Sequence, residues 1–335
     1  MFISLTCLSL FCSFLYCVPV YAANEIAAWG WNSSNQCIVP EPNADFAAIA
    51  AGSNHSLGLK TDGSIRAWGS NNENQCNVPE PNSDFTAIAA GWFHSLALKS
   101  DGSVMAWGRN WHGECNVPGP NSGFIAIEAG LDFSLGLKSN GSIVAWGDNS
   151  YEKCNVPAPN SDFIAISAGD NHCLALKSDG SIRAWGQNGS FQCNVPEPNS
   201  NFKAIAAGSA FSLGLKNDGS IRAWGNSAFN KLVVPEPNAF FTAIAAAEHA
   251  LALRIDGSIA AWGWNNYGQI NVPSPNAHFK AIAAGWAHSL GLKSCPYKLS
   301  GDLNDDCSVD FFDFAIIADN WLIDCELNPA NPACN

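Results

Sequence analysis

Charged side chains are scarce in this chain. Asp, Glu, Lys and Arg make up 13% of its 335 residues, against about 25% in an average soluble protein. Hydrophobic residues make up 47%, so a substantial core can form. The polar surface must then come from Asn, Ser and backbone groups, which indicates a loop-rich β protein.

Basic residues are scarcer still. The chain has 16 Lys and Arg against 29 Asp and Glu, which gives a formal charge of −13. A surface that binds phosphates needs clustered Lys and Arg. We therefore expect no nucleic-acid partner. The acidity is concentrated near the C-terminus, because residues 296–335 hold eight acidic residues and one Lys.

Long apolar runs are absent after the N-terminus. The run from Phe2 to Val20 ends in Val20-Tyr21-Ala22, with a small residue at the cleavage position of a signal peptide. No Lys or Arg precedes the run, so an uncleaved membrane anchor is the alternative. No later segment is long enough to span a bilayer. We predict a signal peptide over residues 1–22 and a secreted or cell-surface protein with no membrane span after signal removal.

The chain does have a strong internal repeat, the feature to seek first in any sequence. Ala-Trp-Gly recurs seven times, at intervals of 39 residues and finally 38, with Trp at positions 29, 68, 107, 146, 185, 224 and 262. One unit, residues 85–123, reads FTAIAAGWFHSLALKSDGSVMAWGRNWHGECNVPGPNSG. A unit this regular predicts one structural module repeated around an axis.

Each unit divides into short strands. The segments FTAIAAG, HSLALK and SVMAWG predict three strands, and the stretch leading into ECNVP predicts a fourth. Asp-Gly pairs such as Asp101-Gly102 predict tight hairpins. Segments such as Pro79-Glu80-Pro81-Asn82 cannot continue a central strand and are typical of loops. Four strands repeated seven times predict an all-β fold, a seven-bladed β-propeller.

The two ends of the repeat region complement each other. Residues 25–30 supply only the late half of a unit, and residues 279–293 supply only the early half. Together they complete a seventh blade, which would close the ring and remove free sheet edges. We assign residues 23–294 to the propeller.

The repeat resembles a known family. The pattern G-x-x-H-S-L-x-L-x-x-D-G-x-V/I-x-x-W-G is similar to the RCC1 (regulator of chromosome condensation) repeat and covers residues 25–294. The resemblance implies a seven-bladed propeller used as an interaction platform. The family's namesake is an exchange factor for a nuclear GTPase and docks on chromatin, neither of which an exported acidic protein would meet. Some secreted bacterial members resemble inhibitors or adhesion modules.

Most recurring side chains have a structural interpretation. The seven Trp residues are expected to fill the gaps between neighbouring sheets. The His of HSL is replaced by Phe133 and Phe211, which a metal ligand or catalytic base would not tolerate, so we expect a partly buried ring with local hydrogen bonds. One repeat position alternates between Cys and Leu232 or Ile270, so its thiols are expected to be free. These thiols are Cys37, Cys76, Cys115, Cys154 and Cys193.

A binding site is expected where the repeats differ. Alternate connections of a meander emerge on opposite faces, so the nearly constant Asp-Gly turns and PxPN loops should share one face. The residues before the His and those after Trp-Gly should share the other, and both vary strongly. Variable loops on a constant scaffold are typical of recognition. The candidate binding residues are Trp31, Trp92, Phe93, Trp111, His112, Tyr151, Asp170, Trp264, Tyr267 and Trp286.

Aromatic rings among Asn and Asp suit a protein interface or sugar rings. No paired carboxylates, Ser-His-Asp set or His cluster stands apart from the repeat, so we predict that the protein is not an enzyme. We expect a binding scaffold that recognises a protein or glycan. The alternative is an accessory or inhibitory protein of a secreted carbohydrate-active system that docks an enzyme.

Residues 295–335 differ sharply in composition, and we predict a small helical module there. Six residues occupy positions 1, 3, 5, 7, 9 and 12 of an EF-hand-like loop, a spacing that suits Ca²⁺. They are Asp302, Asn304, Asp306, Ser308, Asp310 and Asp313. Residues 312–322 can form the following amphipathic helix.

The tail resembles a dockerin repeat over residues 301–322, which implies a cohesin partner. It departs from the family by having one loop instead of two and Cys307 in place of the usual Gly. A self-contained, calcium-stabilised tail is the other interpretation. Four cysteines, an even number in a small exported module, predict two disulfides whose pairing stays open. They are Cys295, Cys307, Cys325 and Cys334.

Overall fold

A computed structural model describes residues 24–294, which form seven antiparallel sheets of three strands each. Each sheet is one blade. Blades 1 to 3 contain β2 Phe46–Ala51, β3 His55–Lys60 and β4 Ile65–Gly69; β5 Phe85–Ala90, β6 His94–Lys99 and β7 Val104–Gly108; and β8 Phe124–Ala129, β9 Phe133–Lys138 and β10 Ile143–Gly147. Blades 4 to 6 contain β11 Phe163–Ala168, β12 His172–Lys177 and β13 Ile182–Gly186; β14 Phe202–Ala207, β15 Phe211–Lys216 and β16 Ile221–Gly225; and β17 Phe241–Ala246, β18 His249–Arg254 and β19 Ile259–Gly263.

Blade 7 joins the two ends of the repeat region, as the sequence predicted. It contains β20 Phe279–Ala284, β21 His288–Lys293 and β1 Ile26–Gly30. Strand β1 pairs with β21 in continuous register, from Ile26 opposite Leu292 to Gly30 opposite His288. The pairing gives the closing blade the same three strands as the others, so it joins the two ends of the repeat region in one sheet and completes the ring.

The prediction of a fourth strand in each blade is wrong. The segment after the outer strand is irregular, with two short 3₁₀ turns at Ser150–Glu152 and Ala228–Asn230. Its prolines lack the N–H that a strand ladder requires. An Asn side chain takes the strand's place: Asn82 Oδ1 accepts from Ile65 N at 2.7 Å and its Nδ2 donates to Ile65 O at 3.0 Å. The PxPN asparagine makes this pair of bonds in all seven blades.

The core lies between neighbouring blades, where the Trp rings pack as predicted. Trp107 of blade 2 is 7% exposed and packs in one cluster with Leu57 and Ile65 of blade 1. Its Nε1 donates to Gln75 O at 2.9 Å, and the other six Trp rings make the equivalent bond. Each Trp therefore gains apolar burial and satisfies its polar atom, which explains why the position is constant.

The histidines join one blade to the next, so the expectation of a partly buried ring with local bonds is wrong. All five are fully buried, and each Nε2 lies within hydrogen-bond distance of a serine in the next blade. The pairs are His55–Ser95, His94–Ser134, His172–Ser212, His249–Ser289 and His288–Ser56, at 2.6–3.0 Å. The ring closes through the last pair, which links blade 7 to blade 1.

The serine fixes the histidine tautomer. Ser95 Oγ donates its only proton to Gln75 O at 2.9 Å, so it can only accept from His55 Nε2–H. Nδ1 then carries no proton, and it is buried without a hydrogen-bond partner. Protonation would place a charge there, so burial lowers the pKa of His55 from 6.5 to about 3.

The repeat cysteines are free, as predicted, and each is half-buried. Their thiols donate to the backbone carbonyl six residues earlier, as Cys115 Sγ does to Arg109 O at 3.1 Å. Burial raises the pKa of Cys37, Cys76, Cys154 and Cys193 to about 11. Thiols with such a pKa are neutral near pH 7 and unreactive as nucleophiles.

Several predictions concern residues outside the described range. These are the signal peptide over residues 1–22, the helical calcium loop with its six ligands, and Cys295, Cys307, Cys325 and Cys334. Within residues 24–294, no helix has the length and apolar character needed to cross a membrane.

Candidate functional site

The variable connections do share one face of the ring. The residue after each outer strand bonds back to the residue before the histidine, as Arg109 N does to Phe93 O at 2.9 Å. At the other end, Phe85 N donates to Gly63 O at 3.1 Å, which joins an Asp-Gly turn to the residue that follows the PxPN segment. We call the two ends the variable face and the constant face.

Seven rings on the variable face form one connected aromatic cluster. Its members are Trp31, Trp92, Phe93, Phe229, Trp264, Tyr267 and Trp286. Trp286 is central, with ring centroids 5.4 Å from Trp31, 5.3 Å from Trp264 and 6.5 Å from Trp92. Its rings lie on loops of blades 2, 5, 6 and 7, four of the seven blades.

The aromatic cluster is only partly covered by its own contacts. Phe229 is 58% exposed and Tyr267 is 45% exposed, while the four tryptophans are half-buried. Trp31 and Tyr267 stack at 5.1 Å, which holds the outer ring in place. A continuous apolar surface of rigid rings on a variable face is typical of an interaction site.

Ion pairs lie on the variable face beside these rings, and Lys231 Nζ is 5.9 Å from the Phe229 ring centroid. Arg109 pairs with Asp132, and Lys231 Nζ lies 2.5 Å from Glu248 Oε2. Lys153 Nζ lies 2.6 Å from Asp148 Oδ2. Lys153 and Lys231 occupy the repeat position that is Gln in four other repeats, so the pairs are specific to their blades. The aromatic cluster therefore borders a charged region.

Three predicted binding residues lie apart from the aromatic cluster. Trp111 is 72% exposed, and the Arg109 guanidinium lies 5.0 Å from its ring centroid. His112 is exposed, and its backbone N donates to Glu114 Oε2 at 2.8 Å. Tyr151 is exposed in a left-handed turn with φ 61°. These residues follow blades 2 and 3, on the charged side of the face.

A central channel opens on the variable face. It encloses about 270 Å³ between the inner strands, with Trp92, Trp286, Asp170 and Glu248 at its mouth. Trp92 Nε1 donates to Asp170 Oδ1 at 2.9 Å, so this bond connects the inner loops of blades 2 and 4. Burial raises the pKa of Asp170 from 3.8 to about 6.

Two residues of the variable face and channel were not among those predicted from the sequence: Phe229 of the aromatic cluster, and Glu128 in strand β8, which lines the channel. The fifth position of the inner strand is Ala in five blades, Ser167 in blade 4 and Glu128 in blade 3. Burial raises the pKa of the Glu128 carboxyl from 4.5 to about 8. The signal in the sequence was a single charge in an otherwise alanine-rich strand.

The described residues offer no obvious metal site. Within residues 24–294, no three His, Cys, Asp or Glu side chains are grouped so that they could hold a metal ion. The six predicted calcium ligands, from Asp302 to Asp313, lie outside this range.

Solved structures from several eukaryotes have a similar fold. Prp20p from Saccharomyces cerevisiae, which has been studied for binding to Gsp1p and histones, is similar at 18% identity and a TM-score of 0.69, covering 90% of this chain and 95% of its own. Human WBSCR16 is similar at 17% identity and 0.66, covering 81% and 99%. The ectodomain of the Arabidopsis thaliana receptor kinase ACR4 is similar at 21% identity and 0.59, covering 72% and 90%.

At such identities these likenesses show the fold alone. No curated protein matches the sequence significantly. A family model, the regulator of chromosome condensation (RCC1) repeat, matches six stretches that together make up half of the chain: residues 46–75, 85–114, 124–152, 163–192, 202–230 and 247–269. With seven blades built on this repeat, the chain belongs to the RCC1 repeat family.

Proposed function

We propose that the protein is a secreted, non-catalytic scaffold that binds a partner protein through the variable face. The observation that carries the proposal is the aromatic cluster, seven connected rings placed by non-repeating loops on a repeating framework. Energetically important interface residues are enriched in Trp, Tyr and Arg and lie near the centre of a contact surface.

The neighbouring ion pairs favour a protein over a glycan. A protein interface combines an apolar centre with a polar rim. Lys153 and Lys231 are themselves buried, so such a rim is supplied by the partly exposed carboxylates of their ion pairs, Asp148 and Glu248. The Trp31 ring also stacks on Tyr267, which leaves less of these two faces free for a sugar. A docked enzyme of a secreted carbohydrate-active system is one form that this partner could take.

The test is capture of a partner from secreted proteins, with insoluble polysaccharides as a parallel arm. The immobilised full-length protein is compared with a Phe229→Ala/Trp264→Ala/Tyr267→Ala variant. The control is Phe240→Ala/Ile255→Ala, because these side chains are 66% and 77% exposed on the constant face. Capture of a specific protein that only the first variant loses supports the proposal. Capture of polysaccharide alone would replace the protein with a glycan.

We further propose that the tail binds Ca²⁺ and serves to stabilise or tether the propeller. The proposal rests on the sequence spacing of the six predicted ligands, from Asp302 to Asp313. Calorimetric titration of the full-length protein with Ca²⁺ should show one site, which Asp302→Ala/Asp306→Ala should remove. Absence of any calcium-dependent heat in the unmodified protein would overturn the proposal.

A further inference from the structure

Glu128 is the one acidic side chain among the seven equivalent inner-strand positions along the central channel. Its equivalents are alanines in five blades, and the one polar equivalent, Ser167, accepts a hydrogen bond from Ala207 N at 3.0 Å. The Glu128 side chain has no hydrogen bond or ion pair with any residue in the range 24–294. It is half-buried in the channel, and burial raises its pKa to about 8. It is therefore an unpaired acid in a small-residue channel.

Packing gives no reason for a carboxylate at this position. Five blades close the same ring with alanine there, so the fold does not require a larger or charged side chain. An ionised carboxyl in such surroundings loses hydration without a compensating bond. A ligand that supplies a positive charge would reverse this cost, so the position favours a binding role.

The mouth of the channel fits the same kind of ligand. The rings of Trp92 and Trp286 lie at the entrance, and aromatic faces attract cations. Asp170 adds a second carboxyl, which accepts only the Trp92 indole N–H. Glu248, by contrast, is already paired with Lys231. The entrance thus combines aromatic rings with a carboxyl that no basic side chain pairs with among residues 24–294.

We propose that the channel binds a protonated aliphatic amine, with Glu128 as the counter-ion of the ammonium group. The alkyl chain lies against the alanine-rich inner strands and passes beside the Trp92 and Trp286 rings at the channel mouth. Such an amine can come from a free alkylamine or from a lysine side chain of a bound protein. The inference goes beyond the proposed function, because Glu128 lies inside the channel and a free amine needs no partner protein to reach it.

Calorimetric titration of the full-length protein with n-butylamine near pH 8 tests the proposal. Glu128→Ala should weaken binding by about tenfold or more, while Ser167→Ala, which changes a neighbouring blade to the common alanine, should not. Butanol, which lacks the charge, should not bind. Equal affinities for the unmodified protein and Glu128→Ala, or no binding of butylamine, would overturn the proposal.

Proton release gives an independent measure. Near pH 7 the free Glu128 carboxyl is mostly protonated, because its pKa is about 8, so an ammonium ligand should expel close to one proton. Titrations in two buffers of different ionisation enthalpy should show this release, and Glu128→Ala should abolish it. Binding that releases no proton and is unchanged by Glu128→Ala would place the amine away from Glu128 and contradict the proposal.

A lysine-containing peptide distinguishes the two sources. If the peptide binds more tightly than butylamine and loses this advantage in the Phe229→Ala/Trp264→Ala/Tyr267→Ala variant, the amine comes from a protein on the variable face. If butylamine binds as tightly as the peptide, the channel is a site for free amines. In both cases Glu128 is the counter-ion of the ammonium group. If no partner protein is captured, the proposed function fails, but binding of butylamine still tests the channel separately.

Discussion

His94 Nε2 of blade 2 lies 3.0 Å from Ser134 Oγ of blade 3. This pairing explains at which blade contacts both His and Ser are replaced. Five of the seven inter-blade contacts have His and Ser. In the other two, both partners differ: Phe133 packs with Cys173, and Phe211 packs with Ala250. A ring that cannot donate is found only where the next blade has no serine hydroxyl to accept.

The first prediction is that His172 and Ser212 are energetically coupled. Ser212→Ala alone should lower the free energy of unfolding by about 1–3 kcal/mol, because the buried His172 Nε2–H loses its acceptor. The double variant His172→Phe/Ser212→Ala, which copies Phe211 and Ala250, should cost less than the two single changes together, by about 1 kcal/mol. Denaturant unfolding of the four proteins measures the coupling. Additive effects would show that the 2.9 Å contact contributes nothing.

The second prediction concerns acid stability. Burial lowers the pKa of His55, His94 and His249 from 6.5 to about 3, and that of His172 and His288 to about 4. The unfolded chain therefore binds protons first as pH falls below 6.5, so stability decreases with falling pH, by up to about 1.4 kcal/mol per pH unit for each histidine.

The measurement is proton uptake on unfolding, taken from the slope of unfolding free energy between pH 6 and pH 4. Each His and Ser pair converted to Phe and Ala should reduce the uptake by about one proton. Phe240 is exposed and does not titrate, so Phe240→Ala is the control and should leave the slope unchanged. A slope that is insensitive to the buried pairs would contradict the account.

The third prediction is that Glu128→Ala stabilises the protein most at high pH. The folded-state pKa is about 8 against an ordinary 4.5, so ionisation disfavours the folded state progressively as pH rises between these values. The increase in unfolding free energy caused by the substitution should be larger at pH 9 than at pH 4 by roughly 2–4 kcal/mol. Water in the channel makes this difference smaller than the full pKa shift would give. Thermal unfolding at both pH values tests this, and an equal gain at both would be evidence against the buried carboxyl.

The fourth prediction is a titration visible in tryptophan fluorescence. The pKa of Asp170 is raised to about 6, mainly by burial, and Asp170 accepts the Trp92 indole N–H. As pH falls through 6, the carboxylate is protonated and this charge-assisted bond weakens. Emission should change near pH 6 in the unmodified protein but not in Asp170→Asn, which keeps a neutral acceptor. Trp92→Phe should also remove the change, and persistence of the change in that variant would assign it to another tryptophan.

Much of the fold followed from the sequence because the repeat displays its own constraints. Ala-Trp-Gly marked the outer strands, and the incomplete units at residues 25–30 and 279–293 predicted the closing blade, which the β1 and β21 pairing confirms. The prediction of a fourth strand was wrong. The spacing of strand-like segments does not show that the Asn82 side chain can make both hydrogen bonds to Ile65 that a strand would make.

The site was less predictable because it depends on contacts between distant repeats. Position in the repeat placed Trp31 and Trp264 on one face, but only the structure connects them through Trp286 and Tyr267. The link between His and the serine of the next blade was visible in the sequence, because the two repeats with Phe instead of His are each followed by a repeat without that serine. It was missed because each position was compared with its equivalents separately.

The most direct test of the central claim is the affinity of the captured partner for variants of the two faces. Phe229→Ala/Trp264→Ala/Tyr267→Ala should weaken binding by about a hundredfold or more, as expected when interface anchors are lost. Phe240→Ala/Ile255→Ala should bind like the unmodified protein, because these exposed side chains lie on the constant face. Equal affinities of both variants for the partner would show that the aromatic cluster is not the binding surface.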